Sequence, residues 1–264
     1  MSELIITRTA VKCGRLKRGF RFLHITDVHL CLTDGTETPA RIEYNAPRIN
    51  LFSRDGVRSD EYFPRFFEYA RDNGCDAVIM TGDITDTPTE PNIKALERTV
   101  KSSPVPVIYV VGNHDWSFFD DYRTKNAEAL YLHRFAEVSG GDTELCVRRL
   151  DGLNILTLDN GDNGFTERQL DTTKRLILEG TPLLICFHVP LAAPALSEKT
   201  SKVWGRDICI QNSKMAKMIA AADNVAAVLT GHVHFFHEEY IGNTLQIVTG
   251  LGAEGMGRLI ELGR

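Results

Sequence analysis

Five strand-length apolar runs constrain this chain most, because each stops on a residue that a buried strand has no packing reason to carry. FLHIT (22–26) runs into Asp27-Val28-His29, and AVIMT (77–81) into Gly82-Asp83. VPVIYVV (105–111) runs into Gly112-Asn113-His114-Asp115, LLICF (183–187) into His188, and AAVLT (226–230) into Gly231-His232-Val233-His234. Helical patterns at 61–73, 92–101, 126–138, 166–179 (N-cap Thr166) and 212–221 alternate with these runs, the order of a layered α/β fold. CVRRL (146–150) and LNILTLD (153–159) pair around the Asp151-Gly152 turn, and the tail from His237 alternates like antiparallel strands. No linker divides the chain, so one domain is expected over 1–264.

The physics of strand ends explains why the pattern matters. In α/β sheets the carboxyl ends of the strands form the crevice where ligands bind. Residues i and i+2 of an extended segment point the same way, so Asp27 can act with His29, and His232 with His234. Glycine before the polar residue permits the sharp turn that swings a side chain inward. Collected, the strand ends offer Asp27, His29, Asp83, Asn113, His188, His232 and His234. Imidazole, carboxylate and amide oxygen suit Mn²⁺, Fe or Zn²⁺ rather than a thiolate-preferring ion. Seven ligands are too many for one such ion. They suit two ions about 3.5–4 Å apart with a bridging carboxylate, and Asp83, central and just after a glycine, is the expected bridge.

Composition excludes other classes. With 264 residues and 43% hydrophobic content the chain can bury a sizeable core. A net charge of −5 argues against nucleic acid and anionic membranes as partners. The apolar runs fall far short of the roughly 20 residues of a membrane span, and the N-terminus has no signal-peptide core. A cytoplasmic location follows as the expectation. Six scattered cysteines, with no CxxC pair, read as reduced thiols rather than a disulfide frame.

The set DVH, GDITD, GNHD, FHVP and GHVH, spanning Asp27 to His234, resembles the calcineurin-like metallophosphoesterase superfamily. The resemblance implies a four-layer α/β/β/α sandwich of two mixed β-sheets flanked by helices. It also implies a dinuclear centre that hydrolyses phosphoesters by attack of a metal-bound hydroxide. By position, Asp27, His29, Asp83 and His234 would hold one ion, and Asp83, Asn113, His188 and His232 the other. His114 would face the substrate phosphate as a non-ligand catalytic residue, with Asp115 as its neighbour and Asp86 orienting from outside the ligand set.

Several features carry weaker expectations. TGLGAEG satisfies GxGxxG after a strand, but only nine residues follow Gly255, too few for a dinucleotide-binding unit. His24, His133 and His237 read as structural. The stretch 34–60 begins beside Asp27 and His29, so a cap or insertion is expected there. Its arginines (Arg41, Arg48, Arg54, Arg58) read as solvated. Trp204, Arg206 and Asn160 are candidate substrate contacts. The expected function is hydrolysis of a small phosphodiester or phosphomonoester; a non-catalytic scaffold with this fold and a metal-dependent nuclease are the alternatives. Physiological substrate and oligomeric state are left open by the sequence.

Overall fold

The computed structural model describes residues 3–263. Two mixed sheets face each other. The first runs, in spatial order, β1 (Ile5–Lys12), β13 (Met256–Gly263), β2 (Phe20–Ile25), β5 (Ala77–Thr81) and β6 (Val107–Val110). The second runs β11 (His237–Ile241), β12 (Thr244–Val248), β10 (Val225–Thr230), β9 (Leu183–Cys186), β8 (Leu153–Leu158) and β7 (Leu145–Leu150). A small hairpin, β3 (Ser53–Arg54) with β4 (Val57–Arg58), stands apart. The helices are α1 (Pro39–Leu51), α2 (Ser59–Asp72), α3 (Glu90–Lys101), α4 (Lys125–Tyr131), α5 (Ala136–Ser139), α6 (Glu167–Glu179), α7 (Pro194–Trp204) and α8 (Lys214–Ala220). Among the described residues, no helix is long and apolar enough to cross a membrane, and the six cysteines are unpaired.

Side-chain alternation along the strands builds the four layers. Leu23, Ile25, Val78 and Met80 point outward, onto Phe63, Phe66 and Phe67 of α2 and Leu96 of α3. Their neighbours Phe22, Ala77 and Ile79 point the other way, against Ile155, Leu184, Cys186 and Leu229 of the second sheet. On that sheet's far face, Leu156, Ile185 and Val228 pack under Leu176 of α6 and Met215 of α8. The order is therefore helix, sheet, sheet, helix, as expected.

β2, β5 and β6 are mutually parallel in the first sheet, and β8, β9, β10 and β12 in the second. Parallel pairing gathers the carboxyl ends of the motif strands, from both sheets, at one edge of the sandwich. Three segments differ from expectation. Residues 39–51 and 194–204, where the sequence shows no helical pattern, are helices, each with Pro at its first position. The expected helix over 126–138 is broken into α4, a 3₁₀ turn (Leu132–Phe135) and α5.

His24 is structural. Fully buried, it joins the sheets by hydrogen bonds that link Nε2 with Thr81 Oγ1 (2.8 Å) and Nδ1 with Thr249 Oγ1 (2.7 Å), one ring nitrogen donating and the other accepting. Burial, then the Arg258 guanidinium, pushes its pKa down to about 3. A histidine depressed in the fold stays neutral there while the unfolded chain takes up a proton below about 6.5. Its contribution is intact above pH 6.5 and is lost as pH falls from there towards 3. Between pH 6 and 4.5 the loss should reach about 2 kcal/mol. Urea midpoints across that range should fall less steeply for His24→Gln than for the wild type; equal slopes would remove His24 as the cause.

Candidate metal centre and active site

Backbone geometry at the strand ends is unusual. Nine non-glycine residues among those described have positive φ, and five of them are Asp27 (53°), His29 (48°), Asp83 (52°), His232 (71°) and His234 (62°). The left-handed region costs a residue with a side chain about 1 kcal/mol or more. Such conformations persist where the surroundings over-determine them, and here the surroundings do. Asp27 N–H donates to Gly82 O (3.0 Å), His29 N–H to Asp83 O (3.0 Å) and Gly231 N–H to His188 O (2.9 Å). The loops after β2 and β5 are thus laced together, as are those after β9 and β10.

Glycines make the approach possible. A Cβ on Gly231 would stand 1.9 Å from Thr26 Oγ1 and 2.5 Å from Asp27 Oδ2; one on Gly112 would stand 2.2 Å from Asp83 Oδ1. Any side chain at either position would push the neighbouring aspartate carboxylate aside. The Gly250–Gly255 stretch serves the same end. Gly252 and Ala253 N–H groups donate to the carbonyls of Thr26 and Asp27 (both 3.0 Å), bracing the first motif from below. Its GxGxxG pattern is a packing feature.

Asp27 and Asp83 each use one oxygen as an anchor and present the other inward. Asp27 Oδ2 accepts from His232 N–H (2.9 Å) and the Thr26 hydroxyl (2.8 Å). Its Oδ1 is buried without a hydrogen-bond partner, 3.3 Å from His234 Nε2 and 3.8 Å from His29 Nε2. Asp83 Oδ1 accepts from His114 N–H (2.8 Å), while Oδ2 lies 3.0 Å from His188 Nε2. His188 Nδ1–H donates to Thr81 O (2.7 Å), and His29 Nδ1–H to Asp86 Oδ1 (2.8 Å). With Nδ1 committed as donor, both rings turn Nε2 inward, the arrangement by which an outer partner sets a metal-ligand tautomer.

Imidazole nitrogens then face one another: His29 Nε2 and His234 Nε2 are 3.2 Å apart, and His232 Nδ1 and His188 Nε2 3.3 Å. Two sets, Asp27–His29–His234 and Asp83–His188–His232, each bring three ligand atoms within 4.8 Å of one another. Converging buried imidazole nitrogens and carboxylate oxygens are the chemistry that suits a cation, and the orphaned Asp27 Oδ1 points among them. The residues fit two neighbouring metal ions. Without ions, burial opposes the His29 cation, but Asp27 and Asp86 overcome that and raise its pKa to about 10. A third set, His29–Asp86–His114, is already satisfied. Asp86 accepts from both Arg48 Nε and Arg48 Nη2 (2.6 Å for the latter) as well as from His29.

The remaining expected residues take varied places. Asn113 is buried at the end of β6; its Oδ1 accepts from Arg123 (2.9 Å) and its Nδ2 donates to Tyr122 Oη (2.9 Å). His114 is partly exposed and turns Nδ1 to the Asp86 carbonyl (3.1 Å), leaving Nε2 free. Asp115 is fully buried and faces backbone, accepting from Asp83, Gly112 and Thr85 N–H and from the Thr85 hydroxyl. It ties the GD turn to the GN turn. Asn160 is likewise buried, accepting from His188 and Val189 N–H (3.1 and 3.0 Å) and so holding the His188 loop.

A cavity of about 590 Å³ opens over this cluster, lined there by Asp83, His114, His232 and His234. Trp204 and Arg206 line its wall. Trp204 meets the His234 ring edge-on at 5.3 Å, and Arg206 is exposed with no ion pair or hydrogen bond among the described residues. Tyr122 and Arg123 also line it and were missed in the sequence, where nothing but their place after the GNHD motif marks them. Residues 39–58 are partly solvated, with Arg58 exposed, but several of their side chains turn onto the site or onto neighbouring loops. Phe52 stacks on His29 at 4.2 Å, Arg48 reaches Asp86, and Arg41 pairs with Asp120 and Asp121. Arg58 pairs with Asp60, and Arg54 lies beside Asp55.

Comparison with known proteins agrees with this geometry. A probable glycerophosphodiester phosphodiesterase of Arcobacter nitrofigilis is 26% identical over 60% of this chain; the chain spans just over half, 56%, of that relative. A probable cyclic nucleotide phosphodiesterase of Coxiella burnetii is 24% identical over 81% of this chain and 75% of its own length. A dimetal phosphatase from Danio rerio shares the fold with a TM-score of 0.61 at 14% identity, covering 89% of this chain and 88% of that one. The model of one family matches residues 20–236, every motif strand end included. With its histidines and aspartates gathered at one edge of a double-sheet sandwich, the chain belongs to the calcineurin-like phosphoesterase family.

Proposed function

We propose that the protein hydrolyses a small phosphodiester, with phosphomonoesters as the second substrate type, using two ions (Mn, Fe or Zn) held between the sheets. Asp27, His29, Asp83 and His234 would hold one ion; Asp83, Asn113, His188 and His232 would hold the other. The observation that carries this is the unpartnered, fully buried Asp27 Oδ1 among inward-facing imidazole nitrogens, beside a cavity large enough for an organic phosphate. The printed names of both relatives, each a phosphodiesterase, favour the diester.

Bound there, the ions would supply charge neutralisation for the phosphate and would lower the pKa of a water to about 7. The chain's own residues do the rest. Asp86 fixes the His29 ring, and its backbone carbonyl fixes His114. His114 Nε2, the free nitrogen of a ring held from behind, is placed to give its proton to the departing ester oxygen. Burial pushes the His114 pKa down, and a phosphate anion beside the ring would favour its protonated form. Arg123 and Arg206 on the cavity wall match the remaining negative charge.

The test strips the metal, restores Mn²⁺, Fe²⁺ or Zn²⁺ singly, and follows bis(p-nitrophenyl) phosphate against p-nitrophenyl phosphate. Activity should vanish on stripping and return with at least one ion, more strongly for the diester. Full metal occupancy with no turnover of either ester would move the protein to the scaffold alternative.

A further inference from the structure

A second cavity, of about 270 Å³, adjoins the first. The two share His114 and Tyr122 and otherwise differ in character. The first carries charged and polar side chains, Arg123, Arg206, Asp207 and Gln211 among them, beside Trp204, Ile208 and Ile210. The second is lined by the rings of Tyr44, Phe118 and Phe119, with Thr87, Ser117 and Asp86, whose carboxylate is held by Arg48 and His29. Tyr44, on the helix α1 that no strand motif announces, stacks on Phe119 with ring centroids 4.4 Å apart. Phe119 and Tyr122 stay 40% and 45% exposed, large apolar rings left at the rim of a cleft. Thr87 is buried with its hydroxyl unpartnered among the described residues.

Resting on the function proposed above, we infer that this aromatic cavity receives one arm of the phosphodiester, and that this arm is flat and apolar. The other arm, polar or anionic, lies along the arginine-bearing wall. The substrate class is therefore an unsymmetrical diester whose two substituents differ in polarity. Three features support the assignment. The cavity abuts the one histidine that is free to meet the ester oxygen. No inward-facing imidazole of the metal ligands lines it. Stacked aromatic walls favour a planar apolar group through burial and ring–ring contact.

Binding rather than turnover gives the clearest test. Titration calorimetry on the metal-restored protein would compare phenylphosphonate with methylphosphonate, in the wild type and in Phe119→Ala and Tyr44→Ala. The wild type should bind the phenyl compound about ten- to a hundredfold more tightly, the range that burial of one ring supplies. Each variant should bring that ratio to within a few-fold of one. A wild-type ratio near one, or an undiminished ratio in both variants, overturns the aromatic subsite while leaving phosphoesterase activity standing. Failure to bind either phosphonate overturns the subsite together with the proposed function.

Discussion

Asp83→Asn is expected to remove both metal ions and lower kcat/KM for the diester by a factor on the order of 10⁴ or more. The substitution keeps the shape of the side chain and its acceptor for His114 N–H, so the local turn should survive. What it removes is the negative charge of the one carboxylate assigned to both ions. Its Oδ2 stands 3.0 Å from His188 Nε2, across the gap between the sheets. Metal content by mass spectrometry and turnover should fall together. A variant that retained two ions and activity would refute Asp83 as the shared ligand.

His114→Gln should separate metal binding from chemistry. Metal content is expected to stay at the wild-type level while kcat falls about 10²- to 10⁴-fold, the usual cost of losing a positioned proton donor. Most of the loss should fall on kcat rather than KM, because the ring acts chiefly on the charge that develops as the ester oxygen departs. Loss of metal in this variant would show that His114 belongs to the ligand set. An unchanged rate would take it out of the chemistry.

Much of this was legible in the sequence, for a physical reason. Strands buried on both faces are continuous apolar runs, so a polar residue at the end of one is conspicuous. Five such ends located the site, and the alternation of strands and helices implied the layers. The same signal does not say which way a polar side chain turns. Asp115 and Asn160 stand beside motif residues, yet both face backbone N–H groups and position other residues. The helix α1 was hidden because PARIEYNAPRINL has two prolines and no apolar stripe. Tertiary contacts hold it instead: Arg48 on Asp86, Tyr44 on Phe119. Tyr122 and Arg123 lie in a loop with no periodic pattern, and only folding brings them beside Asn113.

The facing sheets have a consequence for how the protein can be altered. Asp27, His29, Asp83 and Asn113 come from one sheet, and His188, His232 and His234 from the other, so their spacing is set by the apolar filling of Phe22, Ile79, Leu184 and Leu229 between them. Metal ligands tolerate misplacement of only about 0.2 Å. Trimming a methyl group deep in that filling, with no polar atom nearby, would thus act as a fine adjustment of affinity for the ions. The hydrocarbon interior is the gauge block against which the reactive edge is machined.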